Sequence, residues 1–312
     1  MKNFALIGVA GFIARKHVQA IKETNNNLIA CLDPHDSVGY LDNFFPEADF
    51  FTEFERFDRH LDKLKRKGIP IHYVSICSPN YLHDSHIRFA LKNNADAICE
   101  KPVVLNPWNL EALMQIEKET GKKVFTILQL RLHNEVISLK NFIDSQKNNK
   151  TFNVKLIYIT SRGNWYHYSW KGNEQKSGGI IVNIGIHFFD LLLWLFGECK
   201  EYKVFERNNK RAKGFLQLDK ANVYWFLSID YNDLPDEIKI SNKRTYRVLI
   251  LDDKKFDFSE KFDNLHTESY RKILNNEGFG LLDAFPSIDL TYKLRTTKKE
   301  YLSSLNINFY EY

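Results

Sequence analysis

Lys101 stands between Glu100 and Pro102 at the end of a short apolar run, Ala97-Ile98-Cys99. The following proline biases Lys101 toward an extended backbone, so its side chain has a defined direction. A lysine there bonds a substrate hydroxyl as the ammonium and lowers its pKa, or, if its own pKa is depressed, accepts the proton as the neutral amine. A second set lies in Gly178-Gly179-Ile180-Ile181-Val182-Asn183-Ile184-Gly185-Ile186-His187-Phe188-Phe189-Asp190. Asn183, His187 and Asp190 are spaced i, i+4, i+7, which on one helix places them on one face. The residues around them are apolar, so the helix should be buried, and burying three polar groups costs free energy unless each is paired. A site explains such a row better than a single satisfied core histidine. His187 is the catalytic candidate and Asn183 a substrate contact. Asp190 is either part of the site or the partner that fixes the tautomer of His187.

A third cluster combines rings and cations: Arg162, Asn164, Trp165, Tyr166, His167, Tyr168, Trp170 and Lys171. Trp and Tyr faces suit a sugar ring, and Arg162 and Lys171 suit a carboxylate or phosphate, with Asn164 beside them. These residues are read as substrate-binding rather than as packing.

A fourth set would hold a dinucleotide. Gly8-Val9-Ala10-Gly11-Phe12-Ile13-Ala14 follows an apolar strand and opens a helix. Glycines there allow a tight turn and let backbone amides approach a pyrophosphate at the helix N-terminus. The spacing is GxxGxxA, one residue longer than GxGxxG. Asp33 ends the second apolar run, where a carboxylate bonds the adenosine ribose hydroxyls and repels a 2′-phosphate, favouring NAD over NADP. The other reading of Asp33 is an Asp-Pro turn with Pro34. Ser78-Pro79-Asn80, followed by Tyr81-Leu82-His83, ends the third run. Small residues there let a flat adenine or ribose lie close, and Ser78 or Asn80 also suits helix capping.

The elements that must position these groups fall into two patterns. Strands are predicted at 4–8, 28–33, 72–75, 97–100 and 124–128, with helices near 12–24, 53–67, 82–94 and 107–120. Strand and helix in alternation specify a Rossmann-type, doubly wound parallel sheet, which binds ligands at the carboxyl ends of its strands. After Leu128 the pattern changes. A helix near 133–146 leads into a polar stretch. Strands follow at 152–161, 201–207, 214–218, 223–229 and 246–251, interrupted by one long helix near 180–196, and helices near 266–275 and 283–295 come last. The last four strands read as antiparallel meanders. The fold class is therefore α/β: an NAD-binding domain over 1–128 and an α+β domain with an open, mostly antiparallel sheet over 129–312, for substrate and self-association.

With 312 residues and 44% apolar content, the chain can bury a sizeable core. Its 44 basic and 39 acidic residues are dispersed, and the net charge of +5 is that of a Lys-rich surface or a mildly positive cleft. No basic arm or stripe points to nucleic acid. Cys31, Cys77, Cys99 and Cys199 have no metal or CxxC spacing, which is the usage of reduced cytoplasmic thiols. The N-terminus runs into a strand with no signal-peptide pattern, and the longest apolar stretch, 180–196, is too polar for a membrane span.

Taken together, Glu100-Lys101-Pro102 and the 178–190 segment resemble the glucose–fructose oxidoreductase / inositol dehydrogenase (Gfo/Idh/MocA) family over nearly the whole chain. Within it the chain is most similar to the bacterial UDP-N-acetyl-2-amino-2-deoxy-D-glucuronate 3-dehydrogenases of the WlbA/WbpB type. The markers are 10–14, Leu128-Gln129-Leu130-Arg131-Leu132-His133, 162–166 with 169–172, 183–190, His266-Thr267-Glu268-Ser269-Tyr270, Gly278-Phe279-Gly280 and Asp283-Ala284. The resemblance implies NAD-dependent oxidation of a nucleotide-sugar C3 hydroxyl for surface-polysaccharide (O-antigen, lipopolysaccharide) synthesis. Lys101 and His187 would be the proton-handling pair. It also implies His83, Glu100, Lys101, Pro102 and Gln129 at the cofactor and Arg131 at the substrate. 2-Oxoglutarate is a possible oxidant and a homodimer or homotetramer the expected assembly. The rival readings are a family dehydrogenase of another sugar or polyol, a non-catalytic NAD-binding regulator, and a redox-cycling glycosidase.

Overall fold

The computed structural model describes residues 1–146, 150–258 and 264–300. The chain divides into two compact units, Met1–Leu132 with Asp263–Phe285, and His133–Phe262 with Pro286–Tyr312.

The first unit contains a six-stranded parallel sheet: β1 (Asn3–Ile7), β2 (Asn27–Leu32), β3 (Asp49–Phe51), β4 (Tyr73–Ile76), β5 (Asp96–Cys99) and β6 (Val124–Thr126). Their order is β3-β2-β1-β4-β5-β6. Every residue of β4 and all but the first of β1 and β5 is buried, so these strands read as unbroken apolar runs, as strands covered on both faces must. Four helices alternate with them: α1 (Ala14–Glu23), α2 (Phe54–Arg66), α3 (His83–Lys92) and α4 (Pro107–Thr120). In α1 the buried Ala14, His17, Val18 and Ile21 recur at helical spacing. α4 starts with Pro107 in its first turn and stops at Gly121 (φ 67°), which takes the left-handed conformation that ends a helix.

The order reverses between β1 and β4, which is where such sheets open a crevice. Ile7 pairs with Ile76, and Ile76 with Cys99. The ladder continues one residue further: Gly8 N donates to Leu32 O, Cys77 N to Ile7 O and Glu100 N to Ile76 O. Gly8, Cys77-Ser78 and Glu100-Lys101 therefore leave the sheet at one edge.

The helix Leu265–Leu274 belongs to this first unit, although it follows the second sheet in sequence. The segment after it bridges the edge strand β6, with Gly280 opposite Phe125 and Thr126 N donating to Phe279 O. The division at 128/129 expected from the sequence does not include this return, because the pairing that decides it joins residues far apart in the chain.

The second unit carries β7 (Phe152–Thr160), β8 (Cys199–Arg207), β9 (Arg211–Leu218), β10 (Ala221–Ser228), β11 (Thr245–Leu251) and β12 (Lys254–Asp257). Their order is β12-β11-β7-β10-β9-β8. All neighbours are antiparallel except β7 and β10. β8, β9 and β10 form the expected meander, since short turns join them. β11 does not follow β10. The connection 229–244 is long enough to carry the chain across to the other side of β7.

The long helix expected over 180–196 is two helices, Gly179–Asn183 and Ile186–Phe196, and the stretch Glu174–Asn183 meets the second at a bend of 45°. Gly185 N donates to Ile180 O, a widened turn, and a Cβ on Gly185 would lie 2.5 Å from Ile181 O and 2.6 Å from Leu227 Cδ1. Glycine thus lets the bend press against β10. Among the described residues no single helix is long and apolar enough to cross a membrane.

Candidate active site

At the carboxyl edge of the first sheet, Gly8 has φ 88° and meets the backbone that leaves β4. A Cβ there would sit 2.6 Å from Cys77 C and 2.6 Å from Ser78 N, so the two strand ends approach as only glycine allows. Gly11 N donates to Gly8 O (3.1 Å) and closes the turn. α1 then begins with no side-chain cap and no acidic residue in its first turn, so no carboxylate of its own offsets the positive end of its dipole. Ala10, Gly11 and Ile13 are half-buried, and Phe12 is 93% exposed.

Asp33 is buried, and its carboxylate serves the turn directly. Oδ2 accepts from Ala10 N (3.0 Å) and Oδ1 from His35 N (2.9 Å). The Asp-Pro turn and the ribose reading are therefore compatible: the backbone bonds fix the carboxylate, and each oxygen keeps a lone pair. Ser78 Oγ pairs with His86 Nδ1 (2.9 Å), and α3 has no side-chain cap bond at its N-cap, Leu82. Pro79 precedes the buried Asn80.

His83 is fully buried. Its Nδ1 lies 2.7 Å from Pro102 O and its Nε2 2.7 Å from Ser78 O, so it staples the loop after β4 to the Lys101-Pro102 turn. Burial lowers its pKa against the pull of both carbonyls, and a neutral ring donates to only one of them at a time. Lys101 is half-buried, Pro102 is buried, and the peptide between them is cis. The Glu100 carboxylate does not face outward with Lys101. Oε1 meets His17 Nε2 and His266 Nε2, each at 3.0 Å, and Oε2 accepts from Lys101 N (3.2 Å). Gln129 follows β6, and its Oε1 is a buried acceptor with no hydrogen-bond partner among the described residues.

Arg131 is buried in the first unit. It donates to Asp283 O (3.0 Å), lies near the Asp283 carboxylate and stacks over Phe279, 5.2 Å from the ring centre. There it ties down the returning segment.

In the second unit Asn183 and Tyr166 come together, with Asn183 Nδ2 donating to Tyr166 Oη at 2.7 Å. The single helix expected to carry Asn183, His187 and Asp190 is broken between them: Asn183 closes one helix, and the half-buried His187 and buried Asp190 sit on the next. Lys171 Nζ lies over both Trp170 (4.9 Å) and Trp165 (5.5 Å). Burial lowers its pKa, and the Arg162 charge lowers it further. Two mutually repelling cations beside two indoles suit an anionic ligand. Trp165 is exposed, as are Arg162 and Asn164, and Trp170 is half-buried.

Residues 2–128 match the Gfo/Idh/MocA oxidoreductase family, NAD-binding Rossmann fold, and residues 147–232 match its C-terminal alpha/beta domain. A WlbA (WbpB) dehydrogenase from Thermus thermophilus is 47% identical over 97% of both chains, with a TM-score of 0.94. It has been solved in complex with NAD and alpha-ketoglutarate, and in complex with NAD and UDP-GlcNAcA. The chain belongs to the Gfo/Idh/MocA oxidoreductase family. Glucose-6-phosphate 3-dehydrogenase from Bacillus subtilis (strain 168) is 26% identical over 209 residues, 63% of this chain and 54% of that protein. The chain spans about half the length of the curated relatives it matches.

The residues present fit the NAD that this family's Rossmann domain binds. The glycine cradle that a Cβ would fill, the uncapped start of α1 and the orphaned Gln129 Oε1 are features a bound dinucleotide satisfies. What the sequence missed in this Gfo/Idh/MocA chain is the role of the group behind Lys101: His17, His266 and Tyr270, all buried. The stretch 266–270 stood out only as a marker of the resemblance, and nothing local linked it to His17 or Glu100.

Asp33→Ala is expected to weaken NAD about 10- to 100-fold, the loss of one or two charge-assisted hydrogen bonds, and to narrow the preference for NAD over NADP. Fluorescence titration with both cofactors measures this. Unchanged NAD affinity would leave Asp33 as a turn residue only.

Proposed function

We propose that this chain is an NAD-dependent sugar dehydrogenase that oxidises the C3 hydroxyl of UDP-N-acetylglucosamine-uronic acid (UDP-GlcNAcA) to the 3-keto sugar. Its place would be bacterial surface-polysaccharide nucleotide-sugar synthesis. The observation that carries this reading is the 47% identity, over 97% of both chains, to a dehydrogenase solved with NAD and that sugar nucleotide. The paired cations Arg162 and Lys171 beside Trp165 and Trp170 support it, because a uronate carrying a diphosphate offers several negative charges.

When bound, NAD supplies the hydride acceptor. Gly8, Ala10, Gly11, Phe12, Ile13 and Asp33 hold its adenosine and pyrophosphate side, with Ser78, Pro79 and Asn80 at the neighbouring strand end and Gln129 at the end of β6. Lys101 bonds the substrate hydroxyl and handles its proton, and His187 is the second proton-handling group. Arg162, Asn164 and Lys171 hold the carboxylate or diphosphate. Trp165, Tyr166 and Trp170 flank the sugar, and Asn183, oriented by Tyr166, bonds a ring substituent. A homodimer or homotetramer belongs to the same proposal, as does 2-oxoglutarate as the oxidant that regenerates NAD.

Purified protein incubated with NAD and UDP-GlcNAcA, with and without 2-oxoglutarate, tests it. The expected product is lighter by two hydrogens. If NAD is recycled in place, product accumulates beyond the amount of enzyme only with 2-oxoglutarate and little free NADH appears. Bound NAD without product in either arm would overturn the substrate and turn the search to other anionic sugars and to polyols.

A further inference from the structure

The Lys101-Pro102 dipeptide is gripped from both ends by buried polar groups that no sugar or dinucleotide needs to touch. On one side Glu100 Oε2 accepts the Lys101 amide, and on the other His83 Nδ1 reaches the Pro102 carbonyl. Glu100 is itself anchored by His17 from α1 and by His266 from the returning helix Leu265–Leu274.

The proton positions in this network follow from its geometry. Burial pushes the Glu100 carboxyl up, but the bonds from His17 and His266 outweigh it and hold it well below the usual carboxylate range. A carboxylate only accepts, so both Nε2 atoms donate to Oε1. Burial lowers the His17 pKa, against the pull of Glu100, so its ring is neutral and its Nδ1 is left as an acceptor. Tyr270 Oη, 2.8 Å away, donates to it, and Ser75 Oγ, 2.6 Å from Tyr270 Oη, donates in turn. Glu100, His17 and His266 also lie close enough together to suggest a metal site. Both Nε2 atoms stand at hydrogen-bond distance from one shared oxygen, an arrangement that two imidazole N–H donors and one carboxylate satisfy without an ion.

A buried carboxylate with this many dedicated donors is costly compared with an apolar filling of the same volume. It sits one residue before the lysine that the proposed chemistry uses. We propose that Glu100, fixed by His17 and His266, is a positioning residue that sets the backbone of Lys101, with His83 fixing the far side of the turn. This rests on Lys101 being the proton-handling group.

The test compares Glu100→Gln, His266→Leu, His266→Gln and Lys101→Met. In Glu100→Gln the amide presents a donor either to the two imidazole N–H groups or to the Lys101 N–H. His266→Leu removes one anchor, and His266→Gln returns a side-chain N–H near the place of Nε2. Expected results are a 10- to 100-fold lower kcat for Glu100→Gln and His266→Leu, with NAD affinity within about threefold of wild type, and substantial recovery in His266→Gln. Independently of turnover, hydrogen–deuterium exchange of the peptide spanning 99–104 should be at least tenfold faster in the first two variants and recover in the third. Wild-type kcat and exchange in Glu100→Gln and His266→Leu, beside an inactive Lys101→Met, would overturn the positioning role and leave the site reading intact. So would losses of thermal stability and NAD affinity with kcat per bound NAD unchanged, which is the signature of packing alone. An active Lys101→Met would overturn the site reading and this inference with it.

Discussion

Lys101→Met is expected to lower kcat by about a thousandfold while leaving NAD affinity within about threefold of wild type. Methionine keeps much of the length and apolar stem of lysine and removes only the ammonium. The groups that fit NAD lie on other segments: the Gly8 turn, the start of α1 and Asp33. The Lys101 backbone is set by Glu100 on one side and by the His83–Pro102 contact on the other, and neither needs the Lys101 side chain. Binding and chemistry should therefore separate. Oxidation of an alcohol cannot proceed without moving the hydroxyl proton, and losing the group that moves it typically costs about 10² to 10⁴ in rate. Steady-state kinetics at saturating NAD and UDP-GlcNAcA, with a parallel fluorescence titration of NAD, reads both quantities. Turnover within tenfold of wild type would take Lys101 out of the proton transfer and leave His187 as the remaining candidate. A fall in NAD affinity that accounted for the whole loss would make Lys101 a cofactor contact instead.

The first sheet was legible in the sequence because its strands are buried on both faces and stand out as apolar runs between amphipathic helices. β3 escaped because three residues carry no periodicity, and β12, Lys254-Lys255-Phe256-Asp257, because an edge strand rich in charge does not look like one. The break at Gly185 was hidden for the opposite reason. The i, i+4, i+7 spacing of Asn183, His187 and Asp190 fits one continuous helix, and the apolar residues between them carry no sign of a change of direction. The glycine turn, Asp33 and Lys101 could be read locally, since each depends on residues adjacent in the chain. The network behind Lys101 could not. It joins His17, Glu100, His266 and Tyr270 across much of the sequence, and a buried histidine looks the same in the sequence as an exposed one. The contact of Arg131 with Asp283 was hidden in the same way, since the two lie far apart along the chain.

Gly8→Ala is expected to damage fold and cofactor binding together. An alanine at φ 88° is strained by about 1 to 2 kcal/mol before any contact is counted. Its Cβ would then stand 2.6 Å from Cys77 C and Ser78 N and 2.7 Å from Cys77 O, all backbone atoms that no rotamer change can move aside. Gly8 cannot retreat, because its amide is bonded to Leu32 O at 2.8 Å, and the opposing segment is held by Cys77 N donating to Ile7 O at 2.8 Å. Relief therefore requires β1 and β4 to part at the crevice that receives the dinucleotide. About 2 to 4 kcal/mol of lost stability follows, a fall in Tm of roughly 5–10 °C, and NAD affinity at least tenfold weaker. Gly11→Ala is the graded comparison: its φ is not in the left-handed region and its Cβ would meet Gly8 O at 3.1 Å, so a small shift accommodates it. Gly39→Ala, with nothing within 4 Å, should leave both readouts unchanged. Thermal melts with and without NAD across the three variants should rank them in that order. A Gly8→Ala protein with the Tm and NAD affinity of Gly39→Ala would mean that the turn does not hold the cofactor and that the close approach of β1 and β4 is not what glycine is there to allow.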